Sequence, residues 1–204
     1  MKMAKNEENR NAEQRRAFED CSIRAVEGEG NERKFTLSFS SEEPYERWFG
    51  VEILSHKDGA VDLSRLKTIG VVLYNHNRDE VIGKITKAWI EDNRGCAEIE
   101  FDDDDASEVI RKKVASGTLK GVSVGYRVDV FEEVKEGQVS ADGHKGPCSV
   151  ATKWTPFEIS IVSVPADPTV GVGRSQEDPE PQTKGASRTY FARLRLNINK
   201  NKVN

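Results

Sequence analysis

Gly121-Val122-Ser123-Val124-Gly125-Tyr126-Arg127-Val128-Asp129-Val130 is the stretch on which the fold turns. Val122, Val124, Tyr126, Val128 and Val130 fall on one side of an extended chain, and Ser123, Gly125, Arg127 and Asp129 on the other. A period of two with one apolar face is the pattern of a strand with an inside and an outside. Glycines two positions before and after Ser123 leave its face without bulk, so another chain can approach closely there. The spacing matches the G-x-S-x-G hydrolase signature, but that signature needs a strand, the serine and then a helix. Here the serine lies within the strand, which excludes an α/β-hydrolase.

Further strands follow outward from this one. Phe35, Leu37 and Phe39 alternate with polar residues, and Val51 to Leu54 forms a further short element. Val71-Val72-Leu73-Tyr74 reads as a buried strand that ends in the polar turn Asn75 to Asp79. Val81 to Ile90 and Cys96 to Phe101 flank a turn ending in Gly95, which predicts a β-hairpin. Asp105 with Glu108 has the spacing of a helix N-cap and its N3 acid. The helix should run from about Ala106 to Ser116, stop at Gly117, and bury Val109, Ile110 and Val114. Glu132 to Ser149 reads as a mobile polar loop, and Phe157 to Val164 as a last strand closed by Pro165. The expected fold class is α+β, mainly β.

The chain has 204 residues, 36% of them hydrophobic and 32% charged. Typical domains are about 45–50% apolar and about 25% charged, so part of this chain should not pack. Residues 1–20 mix five basic with five acidic residues and read as a solvated arm, helical or unstructured. The division is a polar N-terminal arm over 1–30, a domain over 31–173, and a flexible tail over 174–204, acidic and Pro-rich and then basic. No apolar run approaches the roughly 20 residues of a membrane span, and the N-terminus lacks the apolar core of a secretory signal. A net charge of −4 argues against nucleic acid as the main partner. Cys21, Cys96 and Cys148 are odd in number and widely spaced, which fits a reducing compartment and no zinc site. Asp102 to Asp105 fails as a calcium loop, because the sixth and twelfth positions from Asp102 hold Ser107 and Lys113. No cofactor is expected.

Three residues stand out singly as candidates for chemistry. A serine hydroxyl needs a neighbouring base, and that base needs a group to orient it. His76 directly follows a buried-type strand, where a fold can hold a polar side chain rigidly. Ser123 lies on the open face of its strand. Glu158 sits in the apolar run Trp154 to Val164, where a carboxylate needs a partner. Taken singly, each also fits a plain reading: an exposed loop histidine, an ordinary strand serine, a strand-edge glutamate.

Read in order, Tyr45-Glu46-Arg47, Leu73-Tyr74-Asn75-His76-Asn77, Ile82-Gly83-Lys84-Ile85, Gly117 to Tyr126 and Phe157 to Ala166 resemble the HK97-type prohead (head maturation) proteases of tailed bacteriophages. The resemblance covers about Phe35 to Val170. It implies a serine endopeptidase with a herpesvirus-protease-like β-barrel core and a few surrounding helices. It makes Ser123 the nucleophile, His76 the general base and Glu158 the residue that orients His76, with His144 or Asp129 as substitutes. The oxyanion donors would be backbone N–H groups near the serine or from another loop, with Gly121 and Val122 as nearby candidates. The implied substrates are the scaffolding protein or the scaffolding segment of the major capsid protein, cut within the prohead in the bacterial host cytoplasm. Self-cleavage in the polar ends is also implied. Self-association stays open, the herpesvirus relatives being dimers. The competing function is a non-catalytic capsid assembly or scaffolding module of the same fold.

Overall fold

The computed structural model describes residues 13–18 and 23–164. The elements in chain order are β1 (Gln14–Phe18), β2 (Arg24–Ala25), β3 (Lys34–Ser41), β4 (Tyr45–Arg47), β5 (Gly50–Leu54), α1 (Ser64–Ile69), β6 (Val71–Tyr74), β7 (Asn77–Glu91), β8 (Arg94–Phe101), α2 (Asp105–Ala115), β9 (Gly121–Val134) and β10 (Cys148–Val162). The strands join one sheet in the order β1-β9-β10-β6-β7-β8-β3-β2, with β5 also on β10 and β4 on β5. β5 and β6 run parallel to β10. The sheet curls far enough to bring β3 against β9 and β1, while α1 and α2 pack on β7 and its neighbours. Among the described residues the result is a mainly β half-barrel with two helices; the alternating segments predict its strands, and the barrel-like curl is what the resemblance implies.

The inside of the curl is the expected face of β9. Val122, Val124, Tyr126 and Val128 are buried with Trp154, Ile159 and Ile161 of β10 and with Leu37, Phe39 and Ile99. Burying each such aliphatic side chain stabilises the fold by about 1.5–3 kcal/mol. Val130 departs from the expectation and is 49% exposed, because the strand has by then run past the core. β9 also continues to Val134, where it pairs with Cys148, so the predicted loop from Glu132 to Ser149 shrinks to its middle. Charged residues such as Glu132 and Glu133 hid this extension, since an outlying ribbon needs no apolar face.

Two other local expectations shift. The N-cap of α2 is Asp104, not Asp105: its carboxylate accepts from the Ala106 and Ser107 N–H groups. Glu108 therefore does not close a capping box and instead pairs with Arg111 at 2.7 Å. The buried stripe is Ser107, Ile110 and Val114, and Val109 faces solvent. Within the segment expected to be a solvated arm, Gln14–Phe18 is a strand, antiparallel to β9. The tail over 174–204 and Cys21 lie outside the described residues.

The core also holds an ionisable group. His56 is 4% exposed, lies edge-on to Trp154, and has its Nε2 2.7 Å from Ser40 Oγ. Burial lowers its pKa to about 4, and the charges of Arg16 and Arg94 add to the effect. Glu42 faces it at 3.9 Å. The unfolded chain binds a proton here near pH 6.5 and the folded chain only near pH 4, so stability is lost as pH falls through that window. The expected loss is about 3 kcal/mol. Urea titrations between pH 7 and pH 4 should show this acid limb in the wild type and a flatter one in His56→Gln. Parallel limbs in the two proteins would refute it.

Candidate active site

His76 sits in a two-residue hairpin loop. Tyr74 of β6 pairs with Asn77 of β7, leaving only Asn75 and His76 between them. The turn is thus shorter than the five residues expected. Both take left-handed backbone, with φ of 51° and 59°, as a type I′ turn demands. Asparagine tolerates this conformation, whereas histidine pays roughly 1 kcal/mol or more for it. Hydrogen bonds to β10 and just beyond hold the turn. The Asn75 N–H donates to the Ile161 carbonyl at 3.0 Å, and the Ser163 N–H donates to Asn75 Oδ1 at 2.9 Å. The His76 N–H donates to Ser160 Oγ at 3.2 Å.

Glu158 reaches the same place through a β-bulge. Tyr126 pairs with Pro156, but the next residue, Gly125, pairs with Glu158, so Phe157 is the extra residue. A shift of one residue moves a strand's side chains to the opposite face. Without the bulge Glu158 would stand on the apolar side with Val124. With it, Glu158 and Ser160 share the face of Ser123, and Ser160 lies directly opposite Ser123. Gly125 makes room for the carboxylate: a Cβ at this position would collide with Glu158 Oε1 and lie 2.7 Å from Phe157 Cε2. The glycine admits a neighbour, as its spacing predicts, and the neighbour is this carboxylate.

The three side chains form a continuous hydrogen-bonded run. His76 Nε2 is 2.7 Å from Ser123 Oγ, and His76 Nδ1 is 2.7 Å from Glu158 Oε1. The other carboxylate oxygen, Oε2, accepts the Ser160 hydroxyl at 2.8 Å. Ser123 is 2% exposed, and the Arg16 carbonyl of β1, 2.8 Å from its Oγ, is a second acceptor competing for its one hydroxyl proton. An imidazole with a carboxylate at Nδ1 keeps Nε2 free to accept a proton and is stabilised once charged. The arrangement can therefore activate a hydroxyl for attack on a carbonyl carbon.

The other candidates lie elsewhere. His144 faces Glu42 at 3.8 Å, and Asp129 pairs with Arg127 at 3.1 Å. Gly121 and Val122 stand opposite Val162 and Ile161 in the β9–β10 ladder. The second serine–histidine pair, Ser40 with His56, is shut inside the core, and the nearest carboxylate stands beyond hydrogen-bond distance of His56 Nδ1. Sequence reasoning missed Ser160, Asn75 and β1. The first two were visible as the residue two on from Glu158 and the neighbour of His76. No signal in Gln14–Phe18 marked it as a strand, since three of its five residues are polar.

A curled, mainly β sheet thus carries a Ser–His–Glu hydrogen-bonded run, an arrangement of the kind that serine hydrolases use. A family profile described as Caudovirus prohead serine protease matches residues 52–184, and the chain belongs to that family. The chain is also 39% identical over 146 residues to a protein named major capsid protein from Halomonas phage phiHAP-1. That match covers 69% of this chain but only 23% of the relative, so the chain spans about a quarter of the relative's length. Among solved structures, the bacteriophage T4 capsid assembly protease gp21 is similar, with a TM-score of 0.46 and 10% identity, covering 76% of this chain and all of that one. Among the described residues, no helix is long and apolar enough to cross a membrane.

Proposed function

We propose that this chain is a serine endopeptidase that processes the scaffolding protein or the scaffolding segment of the major capsid protein during phage head maturation, and that it also cuts itself. One observation carries the reading: the unbroken contact from Ser123 Oγ through both nitrogens of His76 to Glu158. His76 Nε2 takes the hydroxyl proton as Oγ bonds to the substrate's carbonyl carbon. The imidazolium then gives that proton to the departing amine as the C–N bond breaks, leaving an acyl-Ser123 ester. A water, deprotonated by the same nitrogen, releases the acid and restores the hydroxyl. Glu158 keeps the Nδ1 proton in place and balances the ring's charge, and Ser160 holds Glu158. The name of the phiHAP-1 relative supports the capsid protein as partner, since a segment like this chain forms part of that polypeptide.

The test is intact mass. Wild type and Ser123→Ala are each incubated alone and with the capsid protein precursor. Trimming of the precursor by wild type only is expected, and its fragment masses locate the cut. Equal trimming by both would remove Ser123 from the chemistry. No cutting by either would favour the assembly module.

The fit of Gly125 against Glu158 gives a further expectation. Gly125→Ala should push the carboxylate away from His76 and slow cleavage about 10²-fold, the usual effect of a misplacement near 1 Å. Urea denaturation should show a loss of only about 1–3 kcal/mol from overpacking. Full activity in this variant would mean that Glu158 has no part in orienting the base.

A further inference from the structure

β1 lies directly against the strand that carries Ser123. It runs antiparallel to β9, with Ala17 opposite Ser123 and Arg16 opposite Val124. The Arg16 carbonyl accepts the Ser123 hydroxyl at 2.8 Å. The Arg16 side chain is itself 2% exposed, which is rare for a guanidinium. It lies over the Tyr45 ring at 5.0 Å and donates to the Glu43 carbonyl. Behind it stands Glu52, fully buried, which accepts from the Tyr126 hydroxyl and from Arg47. Glu52 Oε2 has no hydrogen-bond partner among the described residues. An aromatic face, a carbonyl and a buried carboxylate are the groups that recognise a guanidinium. Burial lowers the Arg16 pKa, Tyr126 and Glu52 oppose that shift, and the neighbouring Arg47 charge adds to it.

We infer that Gln14–Phe18 is an internal occupant of the substrate-binding edge of β9, and that the Arg16 pocket is the subsite for an arginine in the substrate, the residue whose own carbonyl comes to Ser123. This rests on the protease reading for the purpose of the site. It names the substrate class as an extended peptide added to the sheet as a strand, the mode in which main-chain hydrogen bonds give affinity and side-chain pockets give choice. It also makes the resting site latent. Ser123 has one hydroxyl proton, and while it goes to the Arg16 carbonyl it is not presented to His76 Nε2. A substrate strand must displace β1 before cleavage. Glu52 and Tyr45 are then specificity-determining residues.

Binding tests this without catalysis. Full-length protein carrying Ser123→Ala is compared with Ser123→Ala/Arg16→Ala, using a fluorescent end-blocked peptide of the sequence of residues 14–18. Anisotropy should show the Arg16→Ala protein binding this peptide about ten-fold more tightly, because its own strand is a weaker competitor. Replacing the peptide's arginine that corresponds to Arg16 by alanine should lose about ten-fold, as should Glu52→Gln in the protein. Tyr45→Leu, at a less buried position, should do the same if Glu52→Gln fails to fold. Equal affinities in the two proteins, or for the two peptides, would overturn the inference. Cleavage of the capsid precursor by wild type is read separately, so the protease reading can fail while the peptide binds, or hold while it does not.

Discussion

Ser123→Ala should lower the rate of peptide-bond cleavage by about 10⁴–10⁶-fold, and His76→Ala should cost about as much. In the proposed mechanism the two side chains act as one unit. The hydroxyl is a nucleophile only while Nε2 can take its proton, and the imidazole has nothing to activate once the hydroxyl is gone. The double variant should therefore be no slower than either single one. Residual activity would come from substrate binding and backbone hydrogen bonds alone. The fold should survive, since Ser123→Ala removes one hydroxyl and its bond to the Arg16 carbonyl, a loss of about 1 kcal/mol. kcat/KM on the capsid precursor, with a thermal melt of each variant, checks both parts. Additive losses in the double variant would show that the serine and histidine do not work through one another.

The difference between what the sequence revealed and what it hid follows from which interactions are local. The alternation of Val122 to Val128 and of Ala97, Ile99 and Phe101 is set by burial on one face of a strand, so it is visible in one segment. The hairpin around Asp92 and Asn93 is local too, and both residues adopt the positive φ that a two-residue turn requires. The convergence of His76, Ser123 and Glu158 is not local. It depends on β6 and β9 flanking β10, and on a bulge at Phe157 that alternation alone cannot register. The pairing of those three residues came from resemblance, not from period. β1 was illegible for another reason. Its stability comes from the edge of β9 and from the contacts of Arg16 with the Tyr45 ring and the Glu43 carbonyl, both distant in sequence. A buried arginine looks the same in a sequence as a solvated one.

Glu158→Gln should reduce the cleavage rate by about 10³–10⁴-fold, and the direction in which Ser160→Ala modifies that loss decides why. The carboxylate receives two donors, His76 Nδ1–H on Oε1 and the Ser160 hydroxyl on Oε2. A carboxylate accepts on both sides, but an amide has one accepting oxygen and one donating nitrogen. In Glu158→Gln the oxygen can serve only one of the two. Ser160 is fully buried, so its hydroxyl competes for that oxygen and leaves the amide nitrogen facing Nδ1. The ring is then driven into the tautomer with its proton on Nε2, where it cannot accept from Ser123. In the wild type, Ser160→Ala removes one hydrogen bond that holds Glu158 and should cost about ten-fold in rate. In the Glu158→Gln background the same change removes the competitor and lets the amide oxygen turn to Nδ1–H. The double variant should therefore be about ten-fold faster than Glu158→Gln alone. A double variant slower than either single one would mean that Ser160 supports His76 through the His76 N–H alone, and that Glu158 acts by its charge and not by fixing the tautomer.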